Sequence, residues 1–188
     1  MTHIKGLHHN AYRCRDSEET RQFYEDFLGL PLADAFEIKQ TKSGRDTRVL
    51  HSFYRMADGS FLAFFEAPDM AFEFKTQHDF DLHIALEVDE ATLTAMFAKG
   101  KAQGIHTRGI SDHGFVRSIY FRDPEGNRIE VFMDTPWYCE QPLREPIDLS
   151  QSDASVMAAA EKLARIRPKF RSREQWVSEM EQLMGYRP

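Results

Sequence analysis

Apolar and polar positions along the chain follow one order of rhythms, and that order occurs twice. Leu7–Cys14 reads as a short strand. Asp16-Ser17-Glu18-Glu19 then has the form of a capping box, with a carboxylate at the N-cap and Glu three residues on. The helix it opens places Phe23, Phe27 and Leu28 on one side, and Gly29 stops it. Pro31–Ile38 predicts a second strand, Thr41–Thr47 a polar loop tip and Val49–Met56 a third strand. Asp58-Gly59 marks a hairpin before a fourth strand, Ser60–Glu66. The first stretch is therefore β-α-β-β-β. Leu82–Val88 begins the same order again, followed by an amphipathic helix over Glu90–Ala102 that Gly104 stops. Strands over Ile105–Ile110 and Phe115–Arg122, a turn at Asp123-Pro124-Glu125-Gly126 and a closing strand over Arg128–Met133 complete it.

Residue correspondences support two copies of one module. His9-Asn10-Ala11 matches His83-Ile84-Ala85, 74 positions on. Phe23 lies 14 positions after His9, and Phe97 lies 14 after His83. The helix-ending glycines follow their histidines by 20 and 21 positions. The closing hairpins also align, so that Ala63 occupies the place that Glu130 has in the second copy. The predicted fold is α+β: paired βαβββ modules over about residues 5–68 and 79–135 within a 1–135 domain. A C-terminal extension follows over 136–188. Pro136, Pro142 and Pro146 punctuate its extended start, which carries Trp137 and Tyr138. Two helices are expected after it. Ser152 or Asp153 caps the one with Val156, Ala160 and Leu163, and Ser172 caps the one with Trp176, Met180 and Leu183. These aromatics are expected to pack on the main body, with a lid or a contact in a homo-oligomer as the alternative.

Composition narrows the class without naming a reaction. The 188 residues are 41% hydrophobic and 29% charged, an ordinary globular balance. A net charge of −6 leaves no basic stripe to neutralise phosphates, which argues against a nucleic-acid partner. The two cysteines, Cys14 and Cys139, have no CxxC spacing and fit a reducing cytoplasm better than a disulfide framework. The N-terminus lacks the apolar core of a signal peptide, and no apolar run approaches the roughly 20 residues that span a bilayer. A cytoplasmic location is the expectation.

The candidate chemistry gathers on the repeat. His9 and His83 begin equivalent strands, while His3, His51, His78 and His106 have no such counterpart and read as structural or exposed. Glu130 sits in the apolar run Ile129-Glu130-Val131-Phe132, where an unpartnered carboxylate would be costly. Two imidazoles and one carboxylate suit one face of an octahedral divalent metal and leave about three positions open, an arrangement fitted to non-haem Fe(II). The same donors also suit Zn, Mn or Ni.

The stretch from His8 to Leu30, together with His83–Val88 and Ser118–Phe132, resembles the vicinal-oxygen-chelate superfamily. Glyoxalase I, extradiol ring-cleaving dioxygenases, fosfomycin-resistance enzymes and bleomycin-binding proteins belong to that group. The resemblance covers roughly residues 5–135 and is more specific for fold than for reaction. It implies a cupped mixed sheet around a metal held by His9, His83 and Glu130; strand alternation should set His8 on the opposite face from His9. It also exposes a departure. Glyoxalase I has a fourth ligand where this chain has Ala63, and Glu66, three residues on, should face away by alternation. Ring-cleaving members carry a tyrosine ten residues before the metal Glu and a histidine further upstream. Tyr120 and His113 fill those roles here, although the histidine spacing fits the larger two-domain enzymes only with a shifted loop. The expectation is a metal-dependent oxidoreductase: a single-domain extradiol dioxygenase of aromatic-compound catabolism, using Fe(II), an aromatic diol and O2. The alternatives are a glyoxalase-like or fosfomycin-resistance-like lyase, isomerase or transferase using Zn, Mn or Ni, and a non-catalytic small-molecule binder.

Overall fold

The computed structural model describes residues 4–74, 78, 80, 82–143, 145, 146, 148 and 151–185. His3 lies outside the described residues. The chain divides into two compact units: Met1–Leu82 with Arg122–Asn127, and His83–Phe121 with Arg128–Pro188. Each is built on a βαβββ module, and the class is α+β.

In the first unit, β1 (His9–Cys14) leads into α1 (Ser17–Arg21), which continues as a π-helical turn over Gln22–Phe27. Strands β2 (Leu32–Gln40), β3 (Asp46–Arg55) and β4 (Phe61–Glu66) follow. The sheet order is β1-β4-β3-β2, with β1 parallel to β4 and the other pairs antiparallel. Asp16 caps α1 by accepting from the amides of Glu18 and Glu19. The helix then widens, with the Leu28 amide donating to the Phe23 carbonyl five residues back. That wider turn buries Phe23, Tyr24 and Phe27 together, where an even α-helical period from Phe23 would leave Tyr24 unassigned.

Tyr24 is fully buried, its ring 4.6 Å from that of Phe64, and its hydroxyl donates to Asp123 at 2.8 Å. Asp123 also accepts from the side-chain and backbone N–H groups of Asn127 and from the Glu125 amide. Burial raises the Asp123 carboxyl above its ordinary value, against the pull of these donors, and holds the Tyr24 phenol well above its own. Replacing Tyr24 by Phe removes one donor from a buried carboxyl, so the variant is expected to lose about 1–3 kcal/mol of stability. Urea unfolding at constant m-value is the measurement. An unchanged midpoint would show that the pair carries no net weight.

The second unit repeats the plan. It holds β5 (His83–Glu87), α2 (Glu90–Ala102), β6 (Arg108–Asp112), β7 (Val116–Arg122, whose last residue groups with the first unit) and β8 (Arg128–Asp134). The extension supplies β9 (Trp137–Tyr138), β10 (Glu145–Pro146), α3 (Asp153–Arg165), β11 (Arg171–Ser172) and α4 (Arg173–Leu183). The sheet runs β10-β6-β7-β8-β5, with β5 parallel to β8. Leaving out the added edge strand, this is the order of the first sheet.

Strand β6 starts three residues later than its apolar pattern suggests. The Ile105 amide instead closes the end of α2 by donating to the Gly100 carbonyl, with Gly104 at φ +69° between them. Gly100 lies at a close approach of α2 to its neighbours: a Cβ there would overlap Thr107 Oγ1 and sit 2.8 Å from the Phe121 ring.

The extension packs within the second unit. Trp137 and Cys139 are buried against Ala160 and Ala164 of α3, with Leu143, Met157 and Phe170 at the margin. Tyr138 stacks on Trp176 at 5.2 Å and 11°. β10 joins the sheet edge, pairing Glu145 with Asp112 and Pro146 with Ser111. Ser152 and Ser172 cap α3 and α4, the latter in a complete capping box with Gln175.

Candidate functional site

The parallel pairing of β5 with β8 sets Ala85 beside Glu130 and His83 beside Arg128. Alternation then puts His83, Ala85, Arg128 and Glu130 on one face of the sheet. There, His83 Nε2 and a carboxylate oxygen of Glu130 meet directly. The carboxylate forms the floor, with its side chain 11% exposed against 39% for the imidazole. An imidazole and a carboxylate side by side are donors a divalent cation can take, in their neutral and ionised forms respectively.

Tyr120 comes to the same place from β7. Its ring lies 6.4 Å from that of His83, and its hydroxyl stands close enough to Glu130 to feel that charge. The Arg128 guanidinium covers the Tyr120 ring at 4.1 Å. Burial, followed by the Glu130 charge, raises the Tyr120 phenol above its ordinary value, so it remains a proton donor at neutral pH.

His113, in the tight turn between β6 and β7, completes the group. Its Nε2 lies 2.7 Å from the Tyr120 hydroxyl and its Nδ1 2.9 Å from the Leu143 carbonyl. A carbonyl only accepts, so in the neutral ring the proton belongs on Nδ1 and Nε2 takes the hydrogen bond from Tyr120. Of the residues singled out in the sequence, His83, Glu130, Tyr120 and His113 thus stand together in the second unit.

His9 stands in the first unit among aromatic rings. Register places it on the face of Phe61, Ala63 and Phe65, and its ring is 5.6 Å from Phe53. Glu66 is on the opposite face, paired with Cys14, and its carboxylate accepts from the Ser17 amide at 2.9 Å. His8 does not point away from His9 as alternation suggested. It precedes β1, and its Nδ1 comes 2.8 Å from His9 Nδ1. Among the described residues no three His, Cys, Asp or Glu side chains are gathered to hold a metal ion. Two of the three expected donors, His83 and Glu130, are in contact.

Strand alternation also places two further side chains. Arg128 is two residues before Glu130 in one strand and so shares its face. His51 alternates with Val49 and Phe53 and is a buried structural histidine. It stacks on Phe65 at 3.7 Å and 14°, and its Nδ1 donates to the Phe64 carbonyl.

Residues 6–131 match the Glyoxalase/Bleomycin resistance protein/Dioxygenase superfamily. The chain belongs to that superfamily. Solved structures share its fold at low identity. A glyoxalase/dioxygenase from Nostoc punctiforme is 23% identical with a TM-score of 0.53, covering 70% of this chain and 92% of that one. The fosfomycin resistance protein FosX from Listeria monocytogenes, solved with Mn(II) and a sulfate ion, is 21% identical with a TM-score of 0.51, covering 71% and 95%. An antibiotic binding protein from Streptomyces sp. CB03234 is 20% identical with a TM-score of 0.53, covering 72% and 100%. Enzymes and binders thus share this fold. No described helix is long and apolar enough to cross a membrane.

Proposed function

We propose that the protein is a metal-dependent enzyme that cleaves a catechol-like aromatic diol with O2, with Fe(II) held by His83, Glu130 and His9. The single observation that carries this reading is the hydrogen-bonded pair His113–Tyr120 beside the contacting pair His83–Glu130. The His113 imidazole and the Tyr120 phenol there adjoin the carboxylate that would ligate the metal. The donor set fits a divalent ion: two imidazoles and a carboxylate, with Ala63 leaving the fourth-ligand place of the first module empty of a carboxylate. An ion held by these residues would supply Lewis-acid and electron-transfer chemistry toward a diol and O2.

The protein's own groups handle protons. A catechol arriving beside Tyr120 loses a proton through the phenol to His113 Nε2, and the imidazolium so formed keeps its Nδ1–H on the Leu143 carbonyl. The Tyr120 hydroxyl then donates to the negative charge that develops on the substrate oxygen. Arg128, over the ring, favours the build-up of that charge. The aromatic face around His9, built from Phe53, Phe61 and His51, suits a flat ring.

A second reading is supported by the Mn(II) complex of the Listeria fosfomycin resistance protein: a glyoxalase-like or fosfomycin-resistance-like lyase, isomerase or transferase using Mn, Zn or Ni. The deciding experiment loads the anaerobic protein with Fe(II), Mn, Zn or Ni and assays each form in two ways. One assay follows O2 uptake and a yellow ring-cleaved product from dihydroxybiphenyl and simpler catechols. The other follows isomerisation of a glutathione hemithioacetal. Catechol turnover with Fe(II) alone is the expected result. Hemithioacetal turnover with Zn or Ni, and none with catechols, would transfer the assignment to the second reading.

A further inference from the structure

The family match ends at residue 131, yet the acceptor that orients His113 lies beyond it, in the extension. Several bonds tie the His113 turn to Thr135, just before that segment, and to the segment itself. The Thr135 hydroxyl donates to the Gly114 carbonyl and the Thr135 amide to the Phe115 carbonyl. Gln141 spans the joint, its Nε2 donating to the His113 carbonyl at 2.6 Å and its Oε1 accepting from the Leu143 amide at 3.1 Å. One side chain therefore links the backbone of His113 to the residue whose carbonyl its ring engages. Gly114 has φ +80°, and a Cβ there would overlap Cys139 Sγ and lie 2.8 Å from Leu143 Cδ2, so turn and extension are in van der Waals contact. Behind Cys139 and Leu143 stands the packed face of α3, and Arg167 donates to the Pro142 carbonyl.

We infer that the C-terminal extension is a positioning element for the proton-handling pair. Leu143, through its carbonyl, and Gln141, through its amide, hold His113 in the Nδ1–H form with Nε2 turned to Tyr120. Free histidine prefers the opposite tautomer, so a specific acceptor at Nδ1 is what makes Nε2 a base toward the phenol. Tyr120 alone does not dictate this form, because a hydroxyl can either donate to a ring nitrogen or accept from it. Gln141 and Leu143 are positioning residues, since they act on Tyr120 only through His113. The inference rests on Tyr120 and His113 being the proton-handling pair of the proposed reaction.

The test is nitrogen-15 NMR of histidine-labelled full-length protein, at a pH where the His113 ring is neutral, with the resonance assigned by His113→Gln. Wild type and Tyr120→Phe are expected to carry the proton on Nδ1. Gln141→Ala, a change at an exposed side chain, is expected to shift the tautomer ratio toward Nε2–H by roughly five- to tenfold, the weight of about one hydrogen bond. A wild-type proton on Nε2, a Gln141→Ala ratio equal to wild type, or a proton that moves to Nε2 in Tyr120→Phe would each overturn the inference. The reading needs neither metal nor substrate, so its failure is separate from failure of the reaction. Nδ1–H together with an inactive Fe(II) protein refutes the dioxygenase and leaves the positioning intact.

Discussion

Glu130→Ala is expected to abolish tight binding of a divalent metal while the protein stays folded. Glu130 is the deepest of the proposed donors and the one already in contact with another, His83. Loss of an outer-shell partner typically weakens a metal site by about 10- to 100-fold, and loss of a ligand should cost more. Stability should change little, because the deletion removes a carboxylate whose burial is itself unfavourable. The check is metal content after anaerobic loading and dialysis, read beside the thermal midpoint. His83→Ala should lose metal in parallel. His9→Ala tests the contribution of the first module. Metal retained at one equivalent by Glu130→Ala would end the assignment of this site, whatever the reaction.

Tyr120→Phe should keep the metal and still slow catechol turnover by roughly 10² or more, the usual weight of a general acid–base group. Removing the hydroxyl breaks the path from substrate to His113 Nε2 but leaves the ring beneath Arg128. The loss should therefore fall on kcat, with KM changing less, because the interaction strengthens as charge develops on the substrate oxygen. His113→Gln should give a similar loss, and the double variant little more than either alone, since the two act as one unit. Additive losses would show that the tyrosine and the histidine work separately. Unchanged turnover in Tyr120→Phe would remove the observation on which the proposed reaction stands.

What could be read directly from the chain was whatever short-range physics determines. Asp89 caps α2 by accepting from Thr92 and Gly104 ends it at φ +69°, so the helix runs over Glu90–Ala102, as its pattern of residues indicates. The repeat could be read because each module must bury one sheet face, and that demand repeats the same apolar spacing twice. The structure supports the repeat through equal strand orders and through the register that pairs Ala63 with Ala11 and Glu130 with Ala85. Alternation likewise told Ala63 from Glu66. It failed for His8, which lies before the strand, where alternation no longer constrains a side chain. It also failed for β6, because Ile105 was drawn into closing the preceding helix. Only the tertiary structure could pair Tyr24 with Asp123, 99 positions apart, or bring the Leu143 carbonyl to His113, 30 positions apart. A buried hydroxyl must find some acceptor, but which one depends on where the chain returns. A backbone carbonyl is the same at every residue, so nothing in the sequence marks the one that orients an imidazole.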